Sequence, residues 1–159
     1  SPTAGFKTGA SGSDERGQMH DSSLIYPMFA MVLLTATVLG SLFTARMSAV
    51  RSGTANPRYF KTYQQGSEPA ATAQWSRNFT NLFEAPTLFY AACLASMFSG
   101  QTSRAVVALA WLYVLSRVVH TWIHTGSNTL NHRIAAYFAS WAVLLALWTA
   151  VVFHTATRS

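Results

Sequence analysis

The stretch WSRNFTNLFEAPTLFYAACL, Trp75 to Leu94, decides how the chain is read. From Phe79 to Ser99 it is apolar enough for a membrane helix apart from Asn81 and Glu84, with Arg77 just ahead. A charged group in hydrocarbon costs at least ~2.5–3.5 kcal/mol on insertion scales, so chains that keep one there use it. Arg77, Asn81 and Glu84 are spaced i, i+4, i+7. On a helix they fall within about 60° of one another and share one face.

Outward from this stretch lie three further blocks. Leu24 to Ala45 and Ile134 to Phe153 contain no charge, and Ala105 to His124 is apolar except for Arg117, His120 and His124. Each approaches the roughly 20 residues that carry a helix across the bilayer. Half of the 159 residues are hydrophobic and a tenth are charged, against roughly a quarter charged in soluble domains. The expected fold is all-α, a four-transmembrane-helix bundle. A barrel would need shorter segments of alternating polarity, and none appear.

The net charge of +6 is concentrated in one place. Arg46, Arg51, Arg58, Lys61 and Arg77 lie in or beside the first connection, read as Arg46 to Gln74, with Glu68 the only acid between them. By the positive-inside rule this connection faces the cytoplasm or its organellar equivalent, and both termini face the other side. The basic excess is thus a topology signal, and no nucleic-acid partner is expected. Residues 1–23 are Gly/Ser-rich and read as a disordered or extended tail, leaving 24–159 as the membrane domain. Cys93 is the only cysteine, so no intrachain disulfide forms.

Arg117, His120 and His124, spaced i, i+3, i+7, also share a helix face. A tight turn near Gly100–Arg104 makes the second and third helices antiparallel. Their two polar stripes are therefore expected to converge near the surface that carries the first connection, in a cavity or binding site. With Arg133 the cluster is net positive, which suits an anionic ligand that offers an ammonium group to Glu84. Pro86 removes a ladder donor beside the carboxylate and is expected to kink the helix there. His120 and His124 are two possible metal ligands without a third, and no metal is expected.

These motifs resemble the MAPEG family, the membrane-associated proteins in eicosanoid and glutathione metabolism. The resemblance covers roughly Leu24 to Phe153. It rests on the Arg-x-x-x-Asn-x-x-Glu pattern of Arg77, Asn81 and Glu84 and on SRVVHTWIH (116–124), similar to a stretch of the microsomal prostaglandin E synthases. NLFEAPTLFY (81–90) is closer to the small bacterial members. The resemblance implies a homotrimer that binds glutathione between subunits, with Arg77, Asn81 and Glu84 holding the tripeptide, Arg117 adding a contact and Arg133 near the thiol. His120, on the Arg117 stripe, is counted with the binding residues, and His124 is a candidate to act at the thiol with Arg133.

Two departures accompany the resemblance. His124 stands where characterised members have a tyrosine. Ile134 stands where the prostaglandin synthase branch has a serine, which argues against prostaglandin isomerase chemistry. Two readings follow. One is a glutathione-dependent transferase or peroxidase acting on a lipophilic electrophile, in a bacterial inner membrane or a mitochondrial or endoplasmic reticulum membrane. The other is a non-catalytic accessory subunit of a larger membrane complex, with the tail as its docking arm.

Overall fold

The computed structural model describes residues 22–63 and 67–157. Most of the expected tail, residues 1–21, lies outside the described residues. A 3-10 turn at Ser22–Leu24 leads directly into the first helix. The helices are α1 (Ile25–Arg51), α2 (Tyr59–Thr62), α3 (Ala70–Phe98), α4 (Arg104–Thr125) and α5 (Leu130–Ala156). The four long ones form the bundle, α1 packing most extensively on α3 and α4 on α5.

Three of them, α1 with its leading turn, α4 and α5, are long and apolar enough to cross a membrane. The fourth, α3, is as long, but its polar residues keep it out of that group. The helices outrun the apolar blocks. The first connection shrinks from Arg46–Gln74 to 52–69, because helix stability does not end where hydrophobicity does. Nothing after Ala45 breaks α1 until Gly53, whose φ of 73° is left-handed. Pro69 precedes the first residue of α3, and the Ala-rich AATAQW that follows favours a helix that extends into water.

The connection is anchored by Arg46. Its guanidinium pairs with Glu68 at 3.6 Å, donates to Ser76 Oγ at 3.2 Å and lies over the rings of Phe60 and Tyr63. At the opposite end α3 closes on Gly100 (φ 66°). The Gln101 N–H bonds the Ser96 carbonyl and the Gly100 N–H bonds that of Met97, the paired pattern that satisfies helix-end carbonyls. Ser103 Oγ then accepts from Val106 N to start α4, which after this short turn packs back on α3.

The packing inverts that of a water-soluble bundle. Phe29, Leu33 and Phe43 on α1, Leu115 and Trp122 on α4, and Phe138 and Leu145 on α5 are exposed. Asn78, Arg117, His120, His124 and Ser140 are buried. An apolar exterior around polar interior groups is stable when the solvent is lipid. Between the two lies a core that includes Met31, Val38, Leu82, Leu144 and the stacked rings of Phe89 and Tyr113, whose centroids are 4.7 Å apart.

Candidate functional site

The α4 stripe points into the protomer. Arg117 is 0% exposed, and His120 and His124 are each 2% exposed. This rules out snorkelling for Arg117. Its Nη2 donates to the Asn81 carbonyl of α3 at 3.0 Å, and its Nη1 makes a longer contact of 3.5 Å with Ser140 Oγ on α5. One guanidinium thereby ties three helices together. Among the described residues its Nε has no partner and no carboxylate forms an ion pair with it.

The α3 stripe points outward. Arg77 and Glu84 are exposed and Asn81 is half-buried. The inner face of α3 is set instead by Asn78, Leu82, Ala85 and Phe89, all buried and spaced i, i+4, i+7, i+11. Asn78, not Arg77, meets α4, donating to Thr121 Oγ1 at 3.4 Å. Within one protomer the two stripes touch through Arg117 and the backbone of Asn81, while Glu84 stays within electrostatic reach of Arg117. Pro86 is buried against the bundle and α3 continues through it, so it does not end the helix at the carboxylate.

Beyond Arg117 the column continues toward the first-connection end. The rings of His120 and His124 lie 5.7 Å apart, and His120 faces Tyr137 at 6.0 Å. Among the described residues no side chain meets either ring nitrogen of His120 or the Nδ1 of His124, and only backbone, of Arg133 and of His124 itself, lies near them. Arg133, Arg77 and Arg117 all lie within electrostatic reach of His124. The turn after α4 places Arg133. Asn128, at a left-handed φ of 49°, accepts from Arg133 Nη1 at 2.8 Å, and its own N–H caps the Ile123 carbonyl. Ile134 is exposed on the next position of α5.

Buried polar atoms without partners are rare in finished interiors, and each is costly unless a water or ligand meets it. Here atoms with no side-chain partner among the described residues run in a file: Tyr113 OH, Arg117 Nε, His120, His124 and Asn78 Oδ1. Beside that file, Arg77 and Glu84 stand on an outer helix face where a lone protomer would offer them only lipid or headgroups. Cations, imidazoles and one carboxylate at one end of the bundle can hold a small zwitterionic or anionic molecule. Asn78, Ser140 and Tyr137 belong to this arrangement and are absent from the sequence-based set. Asn78 was discoverable, because its stripe with Leu82, Ala85 and Phe89 has the spacing of a buried face.

These features define a multi-pass membrane protein whose polar site is built from helices within the bilayer. The chain belongs to the MAPEG family, whose family model matches residues 24–153. The fold of that family is a four-helix membrane bundle, and its members are glutathione-dependent membrane enzymes. Neither the curated proteins nor the solved structures contain a match.

Proposed function

We propose that the chain is a glutathione-dependent transferase or peroxidase acting on a lipophilic electrophile that arrives through the bilayer. The observation that carries this reading is the outward-facing Arg77–Asn81–Glu84 stripe beside the buried Arg117–His120–His124 column. Charged groups on the outer face of a spanning helix need a polar neighbour. A second copy of the chain with glutathione held between the two supplies one, which favours the family's homotrimer and a membrane-crossing α3.

In this reading Glu84 takes the ammonium of the γ-glutamyl end, and Arg77 takes a carboxylate. Asn81 adds neutral hydrogen bonds. Arg117, largely committed to the Asn81 carbonyl and Ser140, positions the α3 stripe and offers only its Nε to the ligand. His120 faces the ligand from the column. Arg133 lies toward the thiol, where a guanidinium favours the thiolate, and His124 accepts the thiol proton. The thiolate then attacks the electrophile. A new S–C bond forms as the leaving group departs. With a hydroperoxide, sulfur instead bonds the distal oxygen as the O–O bond breaks, and the alkoxide leaves with a proton as the alcohol. A second glutathione then converts the sulfenic acid to the disulfide and water. The membrane is a bacterial inner membrane or that of an organelle.

The test is titration of the detergent-solubilised protein with glutathione by calorimetry, followed by turnover with a chloronitrobenzene and with a lipid hydroperoxide. Binding and turnover are expected. Binding without turnover, or none at all, transfers the chain to the accessory-subunit reading, which His124 and Ile134 otherwise support.

A further inference from the structure

We infer that the first-connection surface, from the last turns of α1 across α2, is a binding surface for anionic phospholipid of the leaflet it faces. Three observations carry this. Arg51, Arg58 and Lys61 are exposed, and the one acid of the described connection, Glu68, is taken by Arg46. The surface therefore presents uncompensated positive charge. Its height matches the headgroups, because Arg51 is the last residue of a candidate span and Tyr59 and Phe60 sit half-buried nearby, as interfacial aromatics do. Arg51 itself lines a groove with Phe43, Thr44, Met47, Ser48 and Ser52, which runs from the apolar side chains of Phe43 and Met47 to the hydroxyls of Ser48 and Ser52 beside the guanidinium.

That gradient matches one molecule, with an acyl chain along Phe43 and Met47 and a phosphate at Ser48 and Arg51. The negative end of the α1 dipole opposes an anion there, but Arg51 lies in the last turn and offsets it. Arg58 is held in place by its backbone N–H, which bonds Asn56 Oδ1 at 2.9 Å, so α2 starts at a defined point. Exposed cations at headgroup height favour anionic over neutral lipid by about fivefold per basic residue before salt screening. None of this depends on glutathione.

The experiment is native mass spectrometry of the full chain in mild detergent, titrated with phosphatidylglycerol or phosphatidylcholine at low and high salt. Wild type should retain phosphatidylglycerol in preference to phosphatidylcholine, and salt should weaken it. The variant Arg51→Gln/Arg58→Gln/Lys61→Gln should lose about tenfold or more of that retention, with phosphatidylcholine unchanged and helix content intact. Arg51→Lys, which keeps the charge, should behave as wild type, and Arg51→Gln alone should lose several-fold. Equal retention of the two lipids by wild type, or an unchanged preference in the triple and Arg51→Gln variants, would overturn the inference. Displacement of phosphatidylglycerol by inorganic phosphate would overturn it too, by making this a free-phosphate site.

Discussion

The Arg117 guanidinium, wholly buried in α4, donates to the backbone carbonyl of Asn81 on α3 at 3.0 Å. The charge from one polar stripe is thus spent on the main chain of the other, and among the described residues no carboxylate forms an ion pair with it. Such a group costs several kcal/mol of desolvation, and well-packed apolar replacements of buried charges are often neutral or stabilising. Arg117→Met should therefore leave the thermal unfolding midpoint in detergent unchanged or raise it. Arg117→Ala, which opens a cavity as well, should cost about 2 kcal/mol or more. Loss of glutathione affinity in Arg117→Met with the fold intact would mark a residue kept for the site. A large loss of stability in the same variant would mark a scaffold residue.

Glu84 is the complementary case. It is exposed on α3 and forms no ion pair among the described residues, so its removal should not affect the fold of the protomer. Glu84→Gln should weaken glutathione binding by about 1–3 kcal/mol, the range for losing a charge-assisted hydrogen bond, at unchanged thermal midpoint. Asn78→Ala should do the reverse. It should lose about 0.6 kcal/mol of stability, typical of an interhelical hydrogen bond in a membrane, and leave affinity nearly unchanged. Calorimetry and thermal unfolding on the same preparations separate the two residues.

Arg46 organises the first connection through Glu68, Ser76, Phe60 and Tyr63 together. Arg46→Ala removes an ion pair, a hydrogen bond and two ring contacts at once. Faster amide exchange and earlier proteolytic cleavage are expected within 52–69, with α1 and α3 protected as before. Arg46→Lys should rescue only part of this, because a point charge cannot span four partners as a planar guanidinium does.

With α3 crossing as well, four spans would put the first connection and the α4–α5 turn on one side. In a Cys93→Ser background, Ser67→Cys and Ser127→Cys should be labelled from the same face of sealed vesicles, and Ser11→Cys from the other. Labelling of Ser67→Cys and Ser127→Cys from opposite faces would mean that α3 does not cross.

The helices were legible because lipid imposes a length and an absence of charge that two blocks satisfy outright. Their ends were not, since Arg46 to Arg51 and Ala70 to Trp75 extend helices past the hydrocarbon, where propensity and caps decide. The polar stripes were legible as faces but not as directions. Arg77, Asn81 and Glu84 share a face on periodicity alone, yet that face turns outward because Asn78, Leu82, Ala85 and Phe89 claim the inner one. Ser140 was invisible for another reason. A lone serine in an apolar helix carries no pattern, and only Arg117 gives it a meaning.

His124 tests the chemistry. Its imidazole is buried with an Nδ1 that no side chain meets among the described residues, near Arg133, Arg77 and Arg117. Imidazole accepts a proton at neutral pH, whereas a tyrosine in its place can only donate a hydrogen bond. If His124 receives the thiol proton, His124→Phe removes the acceptor while the arginines still favour the thiolate. The titration midpoint of bound thiol, followed by its ultraviolet absorbance, should then move to higher pH, and turnover should fall more than affinity. His124→Tyr should retain activity by donating to the thiolate. A histidine that merely packs between α4 and α5 behaves differently. His124→Phe would lower the thermal midpoint and leave the thiolate titration as in wild type, and that result would remove His124 from the mechanism. The two outcomes differ in a spectroscopic midpoint that packing does not move, so a partial loss of fold in His124→Phe does not blur them.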